Sequence, residues 1–279
     1  MLMEPLHFYH MNFIGKEDKV SIVLPLYNAE STIIFSVRSV ISQTYRNWEL
    51  IIINDGSTDR SFNVLSDFID KLDTQTYDKI IILNQENKGP SFTRNLGIKH
   101  ATGSYIAFLD SDDVWTKEKL SLQIHYLNKY KDIGIIGGGF NKISSKNQKI
   151  IKISYKMLLF KNFFLTPTVM IRKDFLDNED YYFDENKRYS EDQDLWLRLT
   201  YKKNGIYINE VLAKNSIGKA NFGESGLSAN LDLMHHGEIE NFISQYRQKH
   251  ISFIMLGIIV GFSYLKYYRR KWIAQRKYT

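Results

Sequence analysis

The 279-residue chain contains no cysteine, so disulfide bonds and thiolate metal sites are excluded. This composition fits a reducing compartment. The first residues lack a charged region followed by an apolar run and a small-residue cleavage site, so no secretory signal is expected. No stretch has the polar, low-complexity composition of a disordered segment, and 43% of the residues are hydrophobic. The chain therefore reads as one or two globular domains.

Several motifs of common enzyme classes are also missing. The sequence has no G-x-x-x-x-G-K-[ST] loop, which excludes a P-loop nucleotide hydrolase. It has no G-x-G-x-x-G after the first predicted strand, which argues against a dinucleotide-binding oxidoreductase. No Ser-His-Asp or Cys-His arrangement for nucleophilic catalysis is evident.

The net charge of +6 is confined to the C-terminal end. Residues 266–279 contain six basic side chains and no acidic ones, which leaves 31 basic against 31 acidic residues in the rest of the chain. A neutral body argues against nucleic acid as a partner.

An apolar run precedes this basic tail. Residues 251–265 carry no charge and would span about 22 Å as a helix, less than the roughly 30 Å of a bilayer core. Together with the basic and aromatic tail, the run predicts a segment, residues 251–279, that lies on a membrane rather than crossing it. A buried C-terminal helix or a dimerisation helix is the alternative.

The N-terminal half alternates apolar runs with amphipathic stretches. The runs read as buried strands at residues 20–26, 49–53, 79–83 and 105–109, and the helical spacing falls at residues 29–43, 60–72 and 90–101. This alternation predicts an α/β fold with a doubly wound, mostly parallel sheet, whose ligands bind beyond the carboxyl ends of the strands. The second half is less regular: it predicts a helix at 120–129, strands at 132–140 and 166–171, and a turn at 144–148.

Three carboxylates, Asp110, Asp112 and Asp113, directly follow the fourth predicted strand. Carboxylates this close repel one another unless a cation lies among them, and a hard divalent cation prefers oxygen ligands. A solvated acidic turn is the alternative. An EF-hand loop is excluded because Trp115 stands where that loop needs glycine. Since polar residues also follow the other three strands, the metal site is the favoured interpretation, with Asp113 at the start of a helix.

Two further sets of residues are candidates for a functional site. Gly89 and Pro90 open a predicted helix with Arg94 one turn in, which suits a phosphate, although Arg94 could instead pair with Asp55 or with the Asp110 cluster. Glu191 and Asp192 stand in the first turn of another predicted helix, with Ser190 as its cap, and capping alone could explain them.

Five segments in order resemble family 2 glycosyltransferases with the GT-A fold. They are VSIVLPLYN (20–28), QTYRNWELIIINDGSTD (43–59), NKGPSFTRNLG (87–97), FLDSDDVW (108–115) and EDQDLW (191–196). The resemblance runs from about Val20 to about Tyr207.

The resemblance implies a role for each matching residue. Asp55 would contact the nucleotide base, Pro25 and Tyr27 would line the base and ribose, and Arg94 would lie near the nucleotide. Asp110 and Asp112 match the D-x-D pair that holds the ribose and a divalent metal, Mn²⁺ or Mg²⁺. Asp192 matches the catalytic base, with Glu191 as the fallback if the register slips by one.

The implied activity is inverting transfer of a sugar from a nucleotide sugar, in particular a UDP-sugar, to a glycan acceptor. The acceptor would be lipid-linked, as in bacterial O-antigen or capsule synthesis, at the cytoplasmic face of the plasma membrane. Expected regions are an N-terminal extension (1–19), a nucleotide-sugar half (20–115), an acceptor half (116–228) with a flexible loop at 219–228, and a helical region (229–279). The alternatives are a nucleotidyltransferase and an inactive nucleotide-sugar-binding scaffold at the membrane.

Overall fold

The computed structural model describes residues 18–143, 148–176, 182–216 and 230–276. The predicted turn at 144–148 lies largely outside these residues, and so do the loop at 219–228 and most of the N-terminal extension.

The first half is a parallel α/β unit. Strands β1 (Val20–Leu26), β2 (Trp48–Asp55), β3 (Ile80–Gln85) and β4 (Tyr105–Phe108) pair in parallel in the order β3-β2-β1-β4. Helices α1 (Ile33–Ile41), α2 (Ser61–Ile69), the short α3 (Thr74–Tyr77) and α4 (Pro90–His100) connect them. β1, β2 and β4 are almost fully buried, as expected for strands covered on both faces.

The second half extends the same sheet with mixed pairing. Strand β8 (Met170–Arg172) lies antiparallel between β4 and β6 (Ile135–Phe140), and β6 pairs in parallel with the long β9 (Gly205–Asn215). β5 (Asp113–Trp115) and β7 (Ile150–Ile153) both pair antiparallel with β9. Helices α5 (Lys119–Lys129), α6 (Tyr155–Phe160) and α7 (Glu191–Lys202) complete this half. The mixed sheet and its less regular second half match the expected architecture.

Two helices follow the sheet region. α8 (Leu231–Arg247) packs against α9 (Phe253–Arg276) through Lys266, which contacts Glu238 at 2.8 Å, and through Lys271, which contacts Asp232 at 2.9 Å. In the described part of the chain, no helix combines the length and the apolar character needed to cross a membrane.

Three local predictions were wrong. Asp113 does not start a helix: it is buried as the first residue of β5, and α5 begins only at Lys119. The predicted strand at 166–171 splits into a 3-10 turn, Thr166–Thr168, followed by β8. Ser190 does not cap α7 with its side chain, because its backbone is left-handed (φ 55°) and its hydroxyl donates to Met234 O.

Candidate active site

The carboxyl ends of β1 and β2 form one open edge, as the parallel topology requires. Pro25 lies half-buried near the end of β1, and Tyr27, just beyond it, is 49% exposed. Asn28 adopts a left-handed conformation (φ 47°), which asparagine tolerates well, and its Oδ1 accepts from Thr58 N at 2.8 Å. The loop after β1 is thereby fastened to the loop after β2. The sequence alone did not predict this role of Asn28, although Asn28 is the last residue of the segment 20–28.

Asp55, at the end of β2, holds the loop that leads into α4. Its carboxylate accepts from Gln85 Nε2 at 2.7 Å, from Lys88 N at 2.8 Å and from Gly89 N at 2.9 Å. Only 4% of the residue is exposed. These bonds place the start of α4 against the sheet. The predicted contact of Asp55 with a nucleotide base stays a prediction.

Arg94 joins the two acidic motifs. It is buried on α4, where Gly97 allows the helix to pack closely on Val23 of β1. Its two terminal nitrogens contact Asp110 Oδ1 and Glu191 Oε1, each at 2.9 Å, and its guanidinium lies over the ring of Phe183. Burial alone would lower the pKa of Arg94, but the Asp110 and Glu191 carboxylates outweigh it and raise that pKa. Of the two partners considered from sequence, the Asp110 cluster is thus found and Asp55 is not.

The carboxylate run forms a tight turn between β4 and β5. Asp113 N donates to Asp110 O at 3.1 Å, and Ser36 Oγ donates to Ser111 O at 3.0 Å. The side chain of Asp110 is 30% exposed, and Asp112 is exposed. Two carboxylates of this run therefore face solvent while the third, Asp113, is buried.

These two carboxylates suit a cation shared with a substrate. Among the described residues, no group of three or more His, Asp or Glu side chains could enclose a metal ion by itself. Mg²⁺ and similar ions are commonly held by one or two carboxylates plus the oxygens of substrate phosphates. Asp110 and Asp112 supply that donor set, with one Asp110 oxygen already engaged by Arg94. The residues present therefore fit a divalent cation that arrives with a diphosphate.

The second acidic pair lies at the start of α7, across Arg94 from the first. Glu191 is buried against Arg94, whereas Asp192 is half-buried and accepts hydrogen bonds from two uncharged donors. Its Oδ1 accepts from Gln193 N at 2.7 Å, and its Oδ2 accepts from Thr166 Oγ1 at 3.3 Å. Burial, helped by the negative charge of Glu191, raises the pKa of Asp192 to about 7. A carboxylate with this pKa is suited to take up a proton near neutral pH.

The alternative reading of the second pair as helix caps accounts for part of the geometry. Asp192 does accept from a backbone N–H of the first turn of α7. Capping alone leaves the contact between Glu191 and Arg94 unexplained, since that contact reaches a different helix.

Comparisons with known proteins identify the family of the chain. Residues 21–204 match the family model for glycosyl transferase family 2. The chain is 36% identical to the Escherichia coli UDP-Glc:alpha-D-GlcNAc-diphosphoundecaprenol beta-1,3-glucosyltransferase WfgD, over 68% of this chain and 73% of that protein. It is 34% identical to an uncharacterised glycosyltransferase of Rickettsia conorii over 71% of this chain, but spans only 33% of that longer protein.

Solved structures share the fold. Staphylococcus aureus TarS 1–349 in complex with UDP-GlcNAc superposes with a TM-score of 0.66 at 18% identity, over 87% of this chain and 70% of that one. The mannosyltransferase PcManGT of Pyrobaculum calidifontis, in complex with GDP-Man and Mn²⁺, gives 0.64 at 15% identity, over 83% and 65% of the two chains.

The fold and its paired acidic motifs thus define a glycosyltransferase of the GT-A type. The chain belongs to glycosyl transferase family 2. The predicted fold class and family are confirmed. The role of each site residue stays a prediction.

Proposed function

We propose that this protein transfers a sugar from a UDP-sugar to a lipid-linked glycan, with inversion of configuration, in the synthesis of a bacterial surface polysaccharide. The observation that carries the proposal is the bridge from Asp110 through Arg94 to Glu191. It sets the pair Asp110 and Asp112, which suits a cation, beside Asp192, whose raised pKa suits it to accept a proton. Residues 20–115 would bind the donor, and residues 116–228 would shape the acceptor side.

Donor binding would use the open edge of the parallel strands. Tyr27 and Pro25 offer a ring and an apolar surface for the base and ribose, and Asp55 keeps lone pairs on a carboxylate beside them. Asp110 and Asp112 would hold Mn²⁺ or Mg²⁺ against the diphosphate. When bound, such a cation neutralises the charge that develops on the leaving nucleoside diphosphate.

Asp192 would act as the general base. Its carboxylate takes the proton from an acceptor hydroxyl as the hydroxyl oxygen attacks the anomeric carbon of the donor. The bond between that carbon and the diphosphate oxygen breaks, and its electron pair leaves with the nucleoside diphosphate. One displacement inverts the anomeric centre, so the protein supplies no nucleophile of its own.

The relatives support the choice of substrates. WfgD is named for UDP-Glc and for an acceptor on diphosphoundecaprenol, and TarS has been captured with UDP and with UDP-GlcNAc. PcManGT was captured in complex with GDP-Man and Mn²⁺. A UDP-sugar, a divalent cation and a lipid diphosphate acceptor are therefore the substrates and cofactor we propose for this chain.

α9 would hold the protein at the membrane. Half of the large hydrophobic side chains exposed in the described part of the chain lie on this one helix. Ile254, Ile258 and Leu265 recur at helical spacing on one exposed face, and Arg269 and Arg276 are exposed near its end. An apolar face flanked by arginine and aromatic side chains favours the interface of an anionic bilayer, such as the cytoplasmic leaflet. The exposed apolar and aromatic residues are Phe253, Ile254, Ile258, Phe262, Tyr264, Leu265, Tyr268, Trp272 and Ile273.

Cosedimentation with vesicles tests the membrane contact. A variant with Ile254, Ile258 and Leu265 all replaced by Gln should bind phosphatidylglycerol vesicles at least about tenfold more weakly, because each aliphatic side chain gains about 1 kcal/mol or more on leaving water. The matched control replaces the exposed Phe35 and Tyr77 by Gln and should bind as the wild type does. Equal binding by both variants would contradict a membrane-bound α9 and favour its burial in a dimer.

Metal-dependent release of UDP tests the activity. The purified protein is incubated with a panel of nucleotide sugars, Mn²⁺ or Mg²⁺, and membranes that carry lipid-linked oligosaccharides. We expect UDP release and sugar transfer that EDTA abolishes. Release of pyrophosphate from a nucleotide and a sugar phosphate would instead indicate a nucleotidyltransferase, and binding without turnover would indicate an inactive scaffold.

A further inference from the structure

The turn Thr166–Thr168 contacts the proposed base from outside its helix. Thr166 is 6% exposed, and its hydroxyl donates to Asp192 Oδ2 at 3.3 Å. The other oxygen, Asp192 Oδ1, is held by Gln193 N. Each carboxylate oxygen therefore has one fixed donor, which sets the orientation of the group and leaves a lone pair on each oxygen for an acceptor proton.

Two buried side chains hold this turn in place through its backbone. Trp115 Nε1 donates to Pro167 O at 2.7 Å, and Gln123 Nε2 donates to Thr168 O at 2.8 Å. These are the two carbonyls that directly follow Thr166. Loss of either hydrogen bond would leave a carbonyl oxygen without its donor, which costs free energy. The two bonds therefore stabilise the turn in its observed position.

A buried lysine lies behind both anchors. Lys119 Nζ lies 3.9 Å from the centroid of the Trp115 ring and donates to Gln123 Oε1 at 2.7 Å. Both Lys119 and Gln123 are fully buried. The amide of Gln123 is thereby oriented with its NH₂ group toward Thr168 O. Lys119, Gln123 and Trp115 form one rigid support, which we call the turn anchor.

The turn anchor begins in the strand that follows the carboxylate run. Trp115 is the last residue of β5. The first residue of that strand, Asp113, donates a backbone hydrogen bond to Asp110 O. One short stretch of chain therefore fixes the exposed acidic pair at its start and, through Trp115, the turn that touches Asp192.

We propose that Thr166 is a positioning residue for Asp192 and that the turn anchor of Trp115, Lys119 and Gln123 fixes Thr166 in that role. The inference deepens the proposed function and depends on Asp192 being the base. The hydroxyl of Thr166 also favours the charged form of Asp192, since it donates a hydrogen bond to the carboxylate. Its removal should therefore both misorient the base and make it hold its proton to higher pH.

The test compares four variants at two threonines of the same turn. Thr166→Val removes the hydroxyl at nearly constant shape, and Thr166→Ser keeps it. Thr168→Val is the matched control, because the Thr168 hydroxyl donates to Leu165 O in the same turn and does not reach Asp192. Thr166→Ala provides a second hydroxyl-free variant in case the valine disturbs folding, which thermal melts followed by circular dichroism will show.

The acid side of the pH profile of kcat/KM is the first readout. In Thr166→Val we expect it to move up by about one pH unit, which is about tenfold lower activity at a fixed pH below the midpoint. Thr166→Ser should restore the wild-type profile, and Thr168→Val should leave it in place. A folded Thr166→Val protein with the wild-type profile would overturn the proposal, as would a shift of equal size in Thr168→Val.

A second readout does not need turnover. The Asp192 carboxyl carbon is titrated by ¹³C NMR in protein labelled at aspartate, and its resonance is assigned by its absence from Asp192→Asn. An upward shift of its midpoint in Thr166→Val supports the contact, whether or not a nucleotide sugar is turned over. A lack of turnover with every nucleotide sugar would overturn the proposed function and not the role of Thr166. An unchanged midpoint in Thr166→Val and Thr166→Ala would overturn the role of Thr166.

Discussion

The two acidic pairs on either side of Arg94 have the same kind of side chain and different surroundings. Asp112 is exposed and the side chain of Asp110 is 30% exposed, whereas Glu191 is buried and Asp192 is half-buried at the start of α7. The pKa of Asp192 is raised to about 7. Carboxylates in contact with water stay ionised and attract a cation, whereas a desolvated carboxylate beside a like charge holds a proton. The roles that we propose for the two pairs therefore rest on their surroundings rather than on residue type.

Arg94 lies between the two pairs and contacts one carboxylate of each. It neutralises Glu191 at 2.9 Å and engages one oxygen of Asp110, but it makes no hydrogen bond to Asp192 among the contacts described. Burial, together with the nearby charge of Glu191, raises the pKa of Asp192.

Replacing the base should have the largest effect. We expect Asp192→Asn to lower kcat for sugar transfer by a factor on the order of 10³, since general base catalysis contributes about 10²–10⁴. UDP affinity, measured by calorimetry, should stay close to the wild-type value because we propose that Asp192 acts on the acceptor. The surface control Asp67→Asn should transfer at the wild-type rate. Substantial transfer by Asp192→Asn would remove this residue as the base and point to Glu191.

Removing the bridge should come next. Arg94→Met leaves buried Glu191 without its cation, so we expect the free energy of unfolding to fall by about 3–5 kcal/mol, as for other broken buried ion pairs. Chemical denaturation measures this loss, with the exposed Arg247→Met as the control. The pKa of Asp192 should rise further in Arg94→Met, because a positive charge that favours its ionised form is gone. An unchanged stability would mean that the two acidic pairs do not depend on Arg94.

Weakening the exposed pair should affect the metal rather than the fold. We expect Asp112→Asn to raise the Mn²⁺ concentration needed for half-maximal UDP release by at least about tenfold, because a hard cation loses a charged oxygen ligand. Thermal stability should be close to that of the wild type, since the side chain is exposed. An unaltered metal requirement in both Asp112→Asn and Asp110→Asn would contradict the assignment of this pair to a cation.

Burial of the Lys119 side chain should make the stability of the protein depend on pH. Burial lowers the pKa of Lys119 well below its ordinary 10.5, so between the folded and unfolded pKa values the unfolded chain binds more protons than the folded one. Stability of the wild type relative to Lys119→Met should therefore rise as the pH increases from 7 toward 10. Urea denaturation at several pH values measures the difference. A difference that is flat or falls with pH would show that Lys119 is charged in the folded protein.

Much of this architecture could be predicted from the sequence. The four apolar runs of the first half became β1 to β4, and Gly89 and Pro90 open α4 as expected. Local rules suffice there, because buried parallel strands and helix starts leave their own patterns. The acidic residues after β4 and at the start of α7 could be found by the same reasoning.

The remaining features depend on contacts between distant segments. β5 has only three residues, and its pairing with β9 joins positions about a hundred residues apart, so Asp113 resembled a helix start. The contact of Arg94 with Glu191 links residues 97 positions apart, and Thr166 contacts Asp192 from a turn that Trp115 and Gln123 hydrogen-bond. The Thr-Pro-Thr sequence signals a turn but not what the turn touches.

The anomeric configuration of the transferred sugar tests the central claim most directly. The product made from a UDP-sugar can be isolated and the coupling of its anomeric proton measured by ¹H NMR. A half-buried Asp192 acting as base, with no protein nucleophile, requires one displacement, so the configuration should be inverted relative to the donor. A product that retains the configuration of the donor would contradict the account.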